Sequence, residues 1–286
     1  MTTRAWRIGF TWVVALGPVA AGLATLPAAG AAALLHPMRR LSIARMPGAC
    51  EATRFDGAGV TLAGWRCRTP QPRRGTVIYL HGVADNRGGA GHLVDRLGGL
   101  GFDLVAYDSR ANGESTGDAC TYGYYEKQDL HRVIDTLAAG PVVLVGHSLG
   151  AAVALQEAAD DARVATVVAA ETFSDLRTVA AERAPFFFIG PIIRAGLALA
   201  EEQAHFAVDQ VSPLKAASRL TIPVLLIHGD ADVETRPEHS RRVAAALAGP
   251  KRLILVQGAH HSESLRGDVW PDIERWIDQY VGEAAE

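Results

Sequence analysis

The chain has 286 residues, 49% of them hydrophobic and 21% charged, with 28 lysines and arginines against 31 aspartates and glutamates. That composition supplies one large core. A net charge of -3 with no basic stripe leaves no electrostatic footprint for nucleic acid, and a small hydrophobic acyl or ester substrate suits the balance better.

Residues 1–40 are unlike the rest. The run "IGFTWVVALGPVAAGLATLPAAGAAALL", residues 8–35, carries no charge and is long enough to cross a bilayer, with Pro18 and Pro27 bending such a helix. Arg4 and Arg7 before it nearly balance Arg39, Arg40 and Arg45 after it, so flanking charge orients the segment weakly. Ala29-Gly30-Ala31 fits a signal-cleavage site, but the apolar run exceeds the roughly 7–15 residues of an ordinary signal core. The expectation is a hydrophobic helix acting as membrane anchor or signal segment over residues 1–40, followed by a catalytic domain over residues 41–286. That domain is expected outside the cytoplasm, held to the membrane by the helix; secretion or periplasmic release after cleavage is the alternative.

Next in the chain, "CEATRFDGAGVTLAGWRC" reads as two short strands around Asp56-Gly57. A hairpin closed there brings Cys50 and Cys67 together, as a disulfide in an exported domain or as two free buried thiols. With Cys120 they form no CxxC pair, and the histidines show no HExxH spacing, so no metal site is expected.

Apolar strand-like runs then alternate with helical patterns. The strands are "TVIYL" (76–80), "FDLVAYD" (102–108), "PVVLVG" (141–146), "VATVVAA" (164–170), "PVLLIHG" (223–229) and "RLILVQG" (252–258). Continuous Val/Ile/Leu runs are buried on both faces, the mark of a parallel sheet covered by helices. The pattern predicts an α/β domain with a doubly wound, mostly parallel sheet, whose chemistry sits in loops after the strands. Residues 174–220 break the rhythm with helical stretches and no convincing strand, and are expected to form a small helical cap. Its Phe186, Phe187 and Phe188 are candidate walls of an apolar pocket, or simply cap packing.

"GHSLG", residues 146–150, lies between "VVLV" and "AAVAL", and so fits a strand, a sharp turn with serine at its apex, and a helix. Glycines permit the strained turn, and the helix N-terminus behind Ser148 favours developing negative charge. A serine hydroxyl is a weak nucleophile unless a base takes its proton and an acid orients that base. Both partners are available in the order this topology needs: Asp230 or Asp232 after "PVLLIHG", and His260 or His261 after "RLILVQG". The amide of Leu149, next after the serine, is a ready oxyanion donor.

These motifs together resemble the α/β-hydrolase superfamily, within it the serine hydrolases grouped as esterases, monoacylglycerol-lipase-like enzymes and serine aminopeptidases. The resemblance runs from about Leu35 to the C-terminus. It rests on "YLHGVADNR" as the oxyanion loop, "YDSRANGESTG", the "GHSLG" elbow, "LLIHGDADVETRP" as the acid loop and "GAHHS" as the base loop. It implies Asp232 as the acid, His261 as the base and the amide of Val83 as second oxyanion donor, with His81 and His228 as structural residues. Ala111 and Asn112 stand where the family commonly has Gly-His, and His260 where it usually has glycine. The implied function is ester hydrolysis through an acyl-enzyme, with no cofactor. The alternatives are a peptidase or thioesterase on the same triad, with Glu201 and Glu202 available to bind an amine, or a non-catalytic, membrane-anchored binding protein on a hydrolase scaffold.

Overall fold

A computed structural model describes residues 25–42 and 44–282. Eight strands form a single sheet: β1 (Cys50–Asp56), β2 (Thr61–Cys67), β3 (Gly75–Leu80), β4 (Phe102–Tyr107), β5 (Val142–His147), β6 (Val164–Ala170), β7 (Val224–Gly229) and β8 (Lys251–Val256). Their spatial order is β1-β2-β4-β3-β5-β6-β7-β8. β1 and β2 form an antiparallel hairpin, β2 joins β4 antiparallel, and every further pairing is parallel. All six predicted core strands are present, within a residue or two at their ends.

The parity of the central strands sorts their side chains into two layers. Ile78, Leu80, Leu144 and Leu226 face a core shared with α3 (Glu126–Asp135), α4 (Leu149–Ala158), α7 (Pro213–Ala217) and α8 (Glu238–Ala246). Val77, Tyr79, Val143, Val145 and Leu225 face α2 (Val94–Gly99) and α9 (Trp270–Val281). Strands buried on both faces cannot alternate with polar residues, which explains their unbroken aliphatic sequence. Every residue of α4 is buried, so this helix has no polar face and its first turn is fixed against the sheet.

The hairpin closes at Gly57–Val60, where the Gly57 N–H donates to Val60 O at 2.8 Å. Cys50 and Cys67 face each other across it and are joined as a disulfide, while Cys120 is buried and free.

Over the carboxyl ends of the strands lie α5 (Leu176–Arg183) and α6 (Gly190–Ala204), from the segment expected to form the cap. They are joined by an unexpected element. Residues 25–35, assigned by sequence to the anchor, are helical and form α1, which buries Ala31 and Leu35 against Leu176, Val179, Leu197 and Ala200. The chain leaving α1 is tied down as well: Leu35 O accepts from Cys120 N–H at 2.8 Å, and Arg39 Nη1 donates to Ser115 O at 2.6 Å. A boundary at residue 40 therefore cuts through packed structure, because an Ala/Leu-rich helix end buries its apolar face equally well against a cap or a lipid. The start of the expected anchor, residues 1–24, lies outside the described residues. Among the described residues no helix is long and apolar enough to cross a membrane.

Candidate active site

Ser148 stands between β5 and α4 with φ 50° and ψ -110°, a backbone state that strains any residue with a side chain. Its N–H donates to Ala170 O at 2.8 Å, and its carbonyl accepts from Ala152 N–H at 3.1 Å, so the turn is locked at both ends. The flanking glycines are demanded by contact: a Cβ at Gly146 would stand 2.4 Å from Gly150 O, and one at Gly150 only 2.1 Å from Leu80 O.

The loop after β8 carries His261 to this hydroxyl. Its Nε2 is 3.1 Å from Ser148 Oγ and its Nδ1 is 2.7 Å from Asp232 Oδ2. Asp232, after β7, accepts on Oδ1 from the N–H groups of Glu234 and Thr235, each at 2.9 Å, and lies 3.3 Å from His228 Nε2. Burial works to raise its carboxyl pKa, but hydrogen bonds with His228, His261 and Thr235 outweigh burial and hold it well below the usual carboxylate range. An ionised Asp232 keeps the His261 proton on Nδ1 and leaves Nε2 to accept from Ser148. The two candidates left open by spacing have other work. Asp230 accepts from Gly258 N–H at 2.7 Å, and His260 Nδ1 bonds Ala231 O at 3.0 Å, which fastens the acid loop to the base loop.

Val83 and Leu149 line one cavity with Ser148, and among the described residues neither backbone N–H has a protein acceptor. Paired free amides beside a serine hydroxyl are of the kind that can receive a developing oxyanion. The Val83 loop is shaped by Asn112, fully buried, whose Oδ1 accepts from Ala84 N–H at 3.1 Å while Nδ2 donates to Arg110 O at 2.9 Å. Asn112 thus shapes the Val83 loop from the place where the family commonly has histidine. His81 bonds this loop as expected, accepting from Ser109 N–H at 2.9 Å, and Asp108 accepts from the N–H groups of Arg87 and Glu114 at 2.7 and 2.8 Å. Glu126 and Asp129, in the first turn of α3, are buried: Glu126 accepts from the 121–123 turn and Asp129 pairs with Arg110.

Glu171 is the site residue that sequence reasoning missed. It follows β6, is fully buried at φ 55°, and accepts from His147 Nε2 at 2.8 Å, Ser262 N–H at 2.5 Å and Ser264 N–H at 3.0 Å. Burial opposes its ionisation, yet the bonds from His147, Ser264 and Ser262 bring its pKa down to about 2. The available signal was a charged residue directly after an apolar strand, on the rim where chemistry was expected. Ala84, Ala111, Ser148, Glu171 and Ser262 all hold positive φ around this one rim, so backbone strain is gathered there.

A cavity of about 440 Å³ opens beside Ser148, walled by α1, α5, α6, Phe173 and Phe188. That volume lies in the small-ligand range, and its lining is almost entirely apolar. Of the three phenylalanines expected to wall it, only Phe188 does: Phe186 is 96% and Phe187 48% exposed on the turn between α5 and α6. The cap glutamates do not face the cavity. Glu201 accepts from Val208 N–H at 2.8 Å, so it is spent on the cap's own structure. Among the described residues, His147, Glu171 and His261 are spaced to hold a cation, as are His131, Glu157 and Asp161. In each group the ligand atoms are hydrogen-bonded to one another or to neighbouring groups.

The α/β-hydrolase fold family matches residues 75–195 of this chain. The uncharacterized protein YqkD of Bacillus subtilis (strain 168) is 29% identical over 208 residues, covering 68% of this chain and 67% of that protein. Among solved structures, the Pyrococcus furiosus esterase Pf2001 superposes with a TM-score of 0.68 at 21% identity, covering 86% of this chain and all of that one. A Pyrococcus horikoshii acylaminoacyl peptidase gives 0.66 at 15% identity, over 83% of this chain and 42% of that one. The chain has the α/β-hydrolase fold. Esterases and peptidases share its fold at nearly equal likeness, so its chemistry has to be argued from its own site.

Proposed function

We propose that the protein is a serine hydrolase that cleaves carboxylic esters of apolar acyl groups, a carboxylesterase or lipase-like enzyme. The observation that carries this reading is the continuous relay from Asp232 through His261 to Ser148, at 2.7 and 3.1 Å, set at the mouth of the apolar cavity. His261 Nε2 takes the Ser148 proton as Oγ bonds to the acyl carbon, and the amides of Val83 and Leu149 receive the oxyanion. As the tetrahedral intermediate collapses, the carbon–oxygen bond to the alcohol breaks and His261 returns its proton to the leaving oxygen. Water then enters and gives a proton to His261 as its oxygen bonds to the acyl carbon; the bond from that carbon to Ser148 Oγ breaks, His261 returns the proton to Oγ, and the acid leaves. The chemistry calls on no group outside the chain. An aminopeptidase needs a carboxylate facing the site to hold an amine, and the engagement of Glu201 within the cap speaks against that use.

The same proposal places the enzyme at a membrane, anchored through the N-terminal apolar segment, with the catalytic domain outside the cytoplasm. The uncharged run before α1, the exposed Phe186, Phe187 and Ile189, and the disulfide of the hairpin support that placement. Labelling with a fluorophosphonate probe tests the chemistry: wild type is expected to react and Ser148→Ala not. Equal labelling of both proteins refutes the assignment of the nucleophile. A panel of p-nitrophenyl esters of rising acyl length then measures the cavity, with kcat/KM expected to rise beyond acetate.

A further inference from the structure

Resting on the ester-hydrolase reading above, we infer that Arg183 recognises an anionic group on the alcohol half of the substrate. The preferred substrate is then an acyl monoester whose leaving alcohol bears a phosphate or carboxylate.

Arg183, the last residue of α5, is the one charged side chain among those lining the cavity. Its guanidinium meets neutral partners: Nε donates to Glu234 O at 3.0 Å, and Nη2 donates to Thr235 Oγ1 and stands 3.4 Å from His261 Nε2. Among the described residues it is paired with no carboxylate. Two of its five N–H groups are engaged by the acid loop and the second Nη2 hydrogen faces His261 Nε2, so the two Nη1 hydrogens are left to bind a ligand. The loop oxygens thus aim a fork suited to a phosphate or carboxylate, while the charge itself stays unanswered.

Its position fixes which half of the substrate it meets. The leaving oxygen has to come within about 3 Å of His261 Nε2 to receive the proton, and Arg183 Nη2 is 3.4 Å from that same nitrogen. The acyl chain is left the rest of the cavity, where no other lining side chain is charged. There is also an electrostatic reason for an anion here. Each turnover makes His261 an imidazolium beside a permanent cation, and like charges at this distance disfavour one another. A substrate anion between the two rings of charge answers both; a neutral alcohol leaves the repulsion in place.

The test compares matched substrates of one acyl chain: a 1-acylglycerol against its 3-phosphate, and the acyl ester of a hydroxy acid against that of its amide. Wild type is expected to favour the anionic member of at least one pair by about tenfold or more in kcat/KM, less so at high salt. Arg183→Gln is expected to reduce that anionic-over-neutral ratio by about 10–100-fold, with Arg183→Lys between the two. A preference for phosphate alone, for carboxylate alone or for both identifies the group and supports the inference. No anionic preference in wild type overturns it, as does a variant that lowers both members of a pair in proportion, since a mere strut between α5 and the acid loop would act that way. If Arg183→Gln does not fold, glycerol 3-phosphate against glycerol as inhibitor of wild type on a p-nitrophenyl ester decides: selective inhibition by the phosphate supports the inference, and equal or absent inhibition overturns it. Wild type that reacts with fluorophosphonate but shows no anionic preference removes this inference alone. Wild type that does not react removes the ester-hydrolase reading and this inference with it.

Discussion

Replacing Glu171 by glutamine keeps the shape of a fully buried side chain and removes its charge. Its carboxylate accepts three N–H donors, from His147, Ser262 and Ser264, at 2.8, 2.5 and 3.0 Å. A glutamine offers one acceptor oxygen and an amino group that itself donates, so at least one of those buried donors meets another donor. Hydrogen bonds to a charged group are worth roughly 1.5–3 kcal/mol each, and removing one partner of a buried pair costs about 3–5 kcal/mol. Glu171→Gln is therefore expected to lose about 4 kcal/mol of stability, which for a chain of this size lowers Tm by roughly 10 °C. Ser262 and Ser264 continue the loop that carries His261, and a shift of about 1 Å in a reacting group costs on the order of 10² in rate. In a p-nitrophenyl ester assay kcat should fall by about that factor while KM moves only a few-fold, because the cavity wall is untouched. The pH dependence has a definite sign: with its folded pKa brought down to about 2 from 4.5, Glu171 contributes stability present above about pH 4.5 and lost as pH falls towards 2. The acid limb of Tm should flatten in the variant. A Glu171→Gln protein with wild-type Tm and kcat would refute the view that this carboxylate holds the base loop.

Other outcomes follow from the same geometry. Ser148→Ala is expected to fold normally, since it deletes one hydroxyl and its single bond to His261 and leaves the backbone bonds of the turn in place, and to lose on the order of 10⁵–10⁶ in kcat by direct assay. Gly150→Ala puts a methyl 2.1 Å from Leu80 O; α4 must move off β3, and unfolding or insolubility is expected, read by circular dichroism and yield. Reduction, or serine at Cys50 and Cys67, should lower stability by about 2–3 kcal/mol in denaturant titration, the closed loop being short. Glu157, next to His131 and Asp161, is pushed by burial up to about 7 despite its bond to His131. It holds its proton in the folded state, so its contribution is present at low pH and lost as pH rises through 7. Wild-type Tm should thus fall more steeply from about pH 5 to about pH 8 than that of Glu157→Gln.

The sequence by itself determined the order of strands along the chain, the elbow and the supply of an acid and a base after the last two parallel strands. These are local facts. A run of Val and Leu long enough to be buried on both faces is a strand whatever surrounds it, and a serine between such a run and a helix of small residues has one backbone solution. The resemblance then separated Asp232 from Asp230 and His261 from His260, each pair lying within two residues in one loop.

Only the tertiary structure decided what lies opposite what. Glu171 is remote in sequence from His261, and nothing in "AAETFSD" says that its carboxylate reaches the amides that follow that histidine. Arg183 gives no signal until the end of α5 is set against the acid loop. Phe186, Phe187 and Phe188 are equivalent as letters, and the turn between α5 and α6 alone sends one inward and two out. Residues 25–35 are the sharpest case, since hydropathy registers the wish to leave water and is silent on the destination. In the folded chain that destination is the wall of the cavity beside Ser148.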